Sequence, residues 1–81
     1  MTIRDEQPPI TNDEEYRGYQ KARDTMTALL AERETRLFEA LESGDGALIE
    51  DRRFELLNTS RKRQGIIDAI TTYERSRQQT A

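Results

Sequence analysis

The tetrapeptide Ser43-Gly44-Asp45-Gly46 constrains this chain more than any other stretch, because it stops one helical pattern and turns the chain before the next. Gly44 stands where the left-handed residue just past a last helical turn belongs, and Asp45-Gly46 is a second turn signal. The residues that follow, 47 to 58, therefore decide the fold class.

Upstream, residues 13–43 read as one long helix. Thr11, Asn12 or Asp13 is placed to cap it, and Asp13-Glu14-Glu15 puts negative charge in its positive first turn. Tyr19, Met26, Arg33 and Ala40 repeat by seven, Leu30 and Leu37 fill the interleaved series, and Ala22, Leu29 and Leu41 flank it. At 1.5 Å per residue this helix is about 46 Å long. An 81-residue globule cannot cover that length on one face, so a neighbouring molecule or a second long helix must lie alongside. Downstream, Ile66, Ile67, Ile70 and Tyr73 form the stripe of a C-terminal helix at about 60–78, capped by Thr59 or Ser60. Gly65 within it costs about 1 kcal/mol relative to Ala, and close approach of another backbone would account for it.

Two readings compete for the middle. In the first, Ala47-Leu48-Ile49-Glu50 and Arg53-Phe54-Glu55-Leu56-Leu57 are short strands of a β-hairpin at about 47–57, with Ile49, Phe54 and Leu56 covering the helices. Its Asp51-Arg52 turn is poor, because two-residue hairpins need positive φ at both central residues. In the second, Asp45 caps one helix from Gly46 onward and the chain is an all-α antiparallel two-helix hairpin. Arg52, Thr59 and Arg63 then share the buried face with Ile49, Ile67 and Ile70, Phe54 and Leu57 point away, and Asn58-Thr59-Ser60 sits unfavourably in mid-helix. The apolar phase and the Asn-Thr-Ser cap favour the first, so the expected fold is mainly α: a long N-terminal helix, a short β-hairpin and a C-terminal helix. The expected organisation is a flexible arm over 1–12, set off by Pro8-Pro9, a single small helical domain over 13–78, and a frayed tail over 79–81.

Composition narrows what such a domain does. Hydrophobic residues make up 33% and charged residues 36%, and there is no Cys or His. Disulfides are thus impossible and a transition-metal site is not expected. A chain this short is marginal alone and gains stability from subunit contacts. Residues 1–51 carry 13 acidic and 6 basic side chains, and residues 52–81 carry 3 and 7, so acidic and basic halves invite self-association or contact with nucleic acid. No apolar run approaches the ~20 residues of a membrane span. The N-terminus lacks the basic region and apolar core of a signal peptide, so a soluble protein not exported by that route is expected.

No catalytic constellation is legible. There is no Gly-rich phosphate loop, no nucleophile–base pairing and no ligand-spaced carboxylate loop, so neither an enzyme nor a cofactor is expected. Arg52, Arg53, Arg61, Lys62 and Arg63 are the one basic concentration and the candidates for contact with DNA phosphates or an adjoining subunit. Tyr16 and Tyr19, near the start of the first helix, are candidates for a protein interface, where Tyr is enriched.

Taken in order, Leu37 to Arg75 shows a helix closing in Leu41-Glu42-Ser43-Gly44 and a short hairpin around Asp51-Arg52-Arg53-Phe54. A Thr59/Ser60 cap follows, then a helix with Ile66-Ile67-Asp68-Ala69-Ile70 and Tyr73-Glu74-Arg75. This order resembles the small head–tail joining proteins of tailed phages, the lambda W type and related connectors. The resemblance implies a virion protein of the phage neck, assembled in the host cytoplasm as a ring-like homo-oligomer that extends the DNA channel. Its implied partners are copies of itself, the portal and tail proteins and, without sequence specificity, packaged DNA. The alternative is a cytoplasmic helical-hairpin interaction module, a regulator or inhibitor that binds one protein partner. A weaker third option is a DNA-binding accessory protein that uses Arg52 to Arg63.

Overall fold

The computed structural model describes residues 5–79; the first four residues of the arm and the last two of the tail lie outside the described residues. Two helices, α1 (Asp13–Ser43) and α2 (Gly46–Gln79), lie antiparallel in a hairpin with extents of 55 × 26 × 15 Å. Asn12 caps α1: its side chain accepts the Glu15 N–H at 2.9 Å, while the Glu15 carboxylate accepts the Thr11 N–H and hydroxyl at 2.8 and 2.7 Å. This is a capping box moved one residue outward. At the other end Gly44 adopts φ 72°, ψ 6°, the left-handed state its position predicts, and its N–H donates to the Leu41 carbonyl at 3.3 Å. Asp45 then caps α2, its carboxylate accepting the N–H groups of Ala47 and Leu48 at 3.1 and 3.3 Å.

The β-hairpin expected at 47–57 is not there. Among the described residues there is no strand, and the all-α alternative is the fold. Three local features explain the outcome. Among the described residues only Gly44 has positive φ, so Asp51-Arg52 never adopts the backbone a tight hairpin requires. Thr59 tolerates mid-helix because its hydroxyl donates to the Glu55 carbonyl one turn back, at 2.9 Å. The three polar residues that a helical reading turns inward also find partners there. Arg52 pairs with Glu55 at 3.1 Å, Arg33 Nη1 donates to Thr59 Oγ1 at 3.0 Å, and Arg63 Nε donates to Thr27 Oγ1 at 2.8 Å. The mid-hairpin seam is therefore polar but largely satisfied, with Thr59 buried. Arg33 Nε and Glu55 Oε2 are left buried without partners.

The apolar core sits at the open end. Ile10, Ile66 and Ile70 are buried together, with Tyr16, Tyr19, Ala22, Met26, Ala69 and Tyr73 packed around them. Ile10 belongs to the arm that was expected to be flexible. From Asp5 to Asn12 that arm runs without regular structure across α2. It is held by an Asp5 N–H bond to the Arg61 carbonyl at 3.3 Å, a Tyr19 hydroxyl bond to the Pro8 carbonyl at 2.8 Å, and the burial of Ile10. Gly65 permits the crossing: a Cβ there would lie 1.6 Å from the Asp5 carbonyl oxygen.

Two glycine substitutions separate helix propensity from this contact. Gly18→Ala, with nothing within 4 Å of the added methyl, should stabilise the protein by up to ~1 kcal/mol in urea unfolding. Gly65→Ala should forfeit that gain and lose hydrogen-exchange protection at the Asp5 amide. Equal stabilisation by both would mean that the arm does not rest on α2.

Candidate protein-interaction surface

Successive residues of a helix point about 100° apart, so Arg52 and Arg53, like Arg61, Lys62 and Arg63, cannot share one face. The structure spreads them around α2. Arg52 and Arg63 turn toward the seam, bonded to Glu55 and Thr27. Arg53 is exposed and pairs with Glu50 at 3.3 Å. Arg61 is half-buried, and its carbonyl receives the arm. Lys62 is exposed. These residues do not form a basic track.

Tyr16 and Tyr19 are engaged within the chain. Tyr19 holds the arm. The Tyr16 hydroxyl donates to Glu74 Oε2 at 2.5 Å, and its ring lies 5.1 Å from that of Tyr73, tilted by 41°. The Tyr73 hydroxyl donates to Asp13 Oδ1 at 2.7 Å, and the Arg77 guanidinium lies over the Tyr73 ring and 3.4 Å from the same carboxylate oxygen. The two tyrosines and two carboxylates thus clasp the first turns of α1 to the last turns of α2. The clasp and the neighbouring α1 cap shift the groups that form them. The Tyr73 hydrogen bond, then the Arg77 charge, holds the Asp13 carboxyl below its ordinary 3.8, and the Thr11 hydrogen bonds hold Glu15 below 4.5. The carboxylate partners Glu74 and Asp13 push the Tyr16 and Tyr73 phenols above 10.0.

The surface left over is at the turn end. Phe38 and Leu41 on α1, and Phe54 and Leu57 on α2, are 66, 50, 64 and 47% exposed. An open groove of ≈ 490 Å³ is lined by Leu37, Phe54, Leu56 and Leu57 together with Glu50, Arg53 and Ser60. Leu41 lies one turn beyond Leu37 and Phe38 lies beside it, so the apolar surface continues from the groove toward the turn. These residues were not among the expected site residues. The signal was present: Phe38–Leu41 and Phe54–Leu57 are two i, i+3 pairs lying off the buried stripe. A second cleft, between arm and α2, is lined by Glu6, Pro9, Ile10, Asp68, Thr72 and Arg75 among others. No group of carboxylates suited to a metal ion occurs among the described residues, and none of their helices is long and apolar enough to cross a membrane. Compared with known proteins, the chain matches no family model, no curated protein and no solved structure.

The clasp and the α1 cap make the open end pH-sensitive in both directions. Asp13 and Glu15 stabilise the fold above their ordinary values, and their contribution is lost as pH falls through the lower folded ones. Tyr16 and Tyr73 stabilise it below 10.0, and their contribution is lost as pH rises through the higher folded values. Thermal unfolding should therefore show a plateau between about pH 5 and 10 that falls on both sides. Tyrosine absorbance should show two phenols ionising above 10.0 in the folded protein.

Proposed function

We propose that this protein is an interaction module: a helical hairpin whose turn-proximal apolar surface receives a protein partner. The observation that carries the reading is the exposure of Phe38, Leu41, Phe54 and Leu57 beside an apolar groove. Single exposed hydrophobics are ordinary, but a contiguous apolar patch with a charged rim marks a place where another molecule sits. The groove suits a partner helix, which buries side chains at i, i+3 and i+4 spacing. The open end, closed by the arm and the clasp, supplies a rigid handle that holds this surface in place.

A second reading, the ring-forming connector of a phage neck, draws its support from charge. The acidic residues concentrate before Arg52 and the basic ones after it, and the helices keep a weaker form of that bias: α1 carries eight acidic and five basic side chains, α2 five and seven. Subunits with opposed acidic and basic sides suit the heterologous contacts of a ring. The hairpin around Asp51-Arg52-Arg53-Phe54 that helped carry the resemblance is helix, so this reading rests on less than before.

Photo-cross-linking decides between a used and an unused surface. A photoreactive residue at position 54 or 38, in the cells that make the protein, should give a discrete adduct, whereas one at exposed Glu14 on the opposite end should give none. No adduct from either apolar position would remove the interaction reading. Adducts forming closed rings of many copies in native mass spectrometry would favour the connector.

A further inference from the structure

We propose that Tyr16 and Tyr73 form an oxidative cross-linking site: a one-electron oxidant joins their rings as dityrosine and so staples the start of α1 to the end of α2. The proposal concerns the open end and does not depend on the interaction reading above.

Three observations select this pair. The first is proximity. Both residues are half-buried, within reach of a small oxidant, and their ring centroids are 5.1 Å apart. Rings joined by a direct bond have centroids only slightly closer than that, so coupling needs a shift of two side chains and no movement of the helices that carry them.

The second is what the phenols donate to. A phenol gives up an electron far more readily when its proton leaves at the same moment, and that proton needs a base within hydrogen-bond reach. Tyr16 donates to Glu74 and Tyr73 to Asp13, so each ring has its own carboxylate. Tyr19 donates instead to the Pro8 carbonyl, a neutral amide oxygen and a far weaker base. The Arg77 guanidinium lies over the Tyr73 ring and opposes positive charge there. Tyr73 is therefore oxidised only as its proton passes to Asp13. Arg77 also pairs with Asp13 and weakens it as a base, which makes Glu74 the stronger of the two acceptors. The third observation is the lack of competitors. The chain has no Cys, Trp or His, so tyrosine is where a one-electron oxidant draws its electron, while Met reacts chiefly by oxygen transfer to sulfur.

The step balances. Each phenol loses one electron to the oxidant and its hydroxyl proton to its carboxylate. The two radicals pair to form one C–C bond between the carbons ortho to the oxygens. The hydrogens on those carbons then move to the oxygens and restore both phenols, and the carboxylates release their protons to water. The electron acceptor is of the peroxide class, whose O–O bond takes both electrons as it breaks. The product locks the end of the hairpin that the arm already closes and leaves the exposed Phe38 and Phe54 at the other end untouched.

Photo-oxidation of the dilute full chain with tris(bipyridyl)ruthenium and persulfate tests the site. The expected product has the protomer mass less two hydrogens and the blue emission of dityrosine. It closes a loop spanning nearly the whole hairpin, so its unfolding midpoint should rise by roughly 10 °C or more. Trypsin cuts at Arg17, between Tyr16 and Tyr19, and at Arg75. The digest should join the peptide of Tyr16 to that of Tyr73 and leave that of Tyr19 free. Tyr16→Phe or Tyr73→Phe should abolish the monomeric product, and Tyr19→Phe should not. Glu74→Gln should slow its formation at least ~10-fold and Asp13→Asn by a smaller factor, each with unchanged far-UV circular dichroism, and the parent chain should react more slowly in D2O. Urea, by separating the helices, should replace the single product with a mixture that includes Tyr19. Cross-links that form only between chains, a digest in which Tyr19 is joined as often as Tyr16, or Glu74→Gln reacting at the parent rate would each overturn the proposal.

Discussion

The contact on which this fold depends is Ile10 against Ile66 and Ile70. Two helices alone form a single seam, and a single seam buries little. The arm adds a third surface to the open end, closing Ile66 and Ile70 from the side that α1 leaves uncovered. Full burial of one such side chain contributes roughly 1.5–3 kcal/mol, a large share of what a domain of this size has available. Everything near the contact serves to keep the arm in place: Gly65 gives it room, the Arg61 carbonyl accepts its amide, and the Tyr19 hydroxyl holds Pro8.

From that end the hairpin changes character along its length. The open third is apolar and clasped by aromatic–carboxylate pairs. The middle is a polar ladder in which Arg33, Glu55, Thr59, Arg63 and Thr27 bond across the seam or along it. The turn end has caps at both helix termini, a buried Ala40 and exposed large side chains. A polar ladder fixes register well, because a slip of one residue would strand donors and acceptors out of water. It supplies little net stability. Register is thus set in the middle, while hydrophobic stabilisation is concentrated at one end and left incomplete at the other.

That incompleteness gives the functional reading its direction. The open end is closed by the chain's own arm, so it has little left to offer a partner. The turn end exposes two Phe and two Leu beside a groove whose lining includes Glu50 and Arg53, both on α2. Exposed apolar side chains and the groove beside them are concentrated in this half. The basic residues and the two tyrosines singled out from the sequence are mostly occupied elsewhere in holding the fold together.

By itself the sequence determined the reversal at Gly44, the cap and extent of α1, the apolar stripe of Ile66 and Ile70, and the need for a close backbone at Gly65. Each is a local property: a turn conformation, a helical period, or a missing side chain. Only the tertiary structure decided that residues 47–58 are helix, that the arm lies on α2, and that Tyr16 and Tyr19 face inward. The middle misled because Arg52, Thr59 and Arg63 look too polar to bury. Arg52 pairs locally with Glu55, but Arg33 and Thr27, which meet Thr59 and Arg63, lie 26 and 36 residues away in the chain, and no window of local sequence contains them. Phe54 misled for the complementary reason. In a strand it would cover a core with Ile49 and Leu56, but the helix that satisfies the backbone turns it outward. Local pattern fixes where helices start, stop and bury their clearest stripe; which polar groups meet across the seam, and which apolar ones are left over, depends on register.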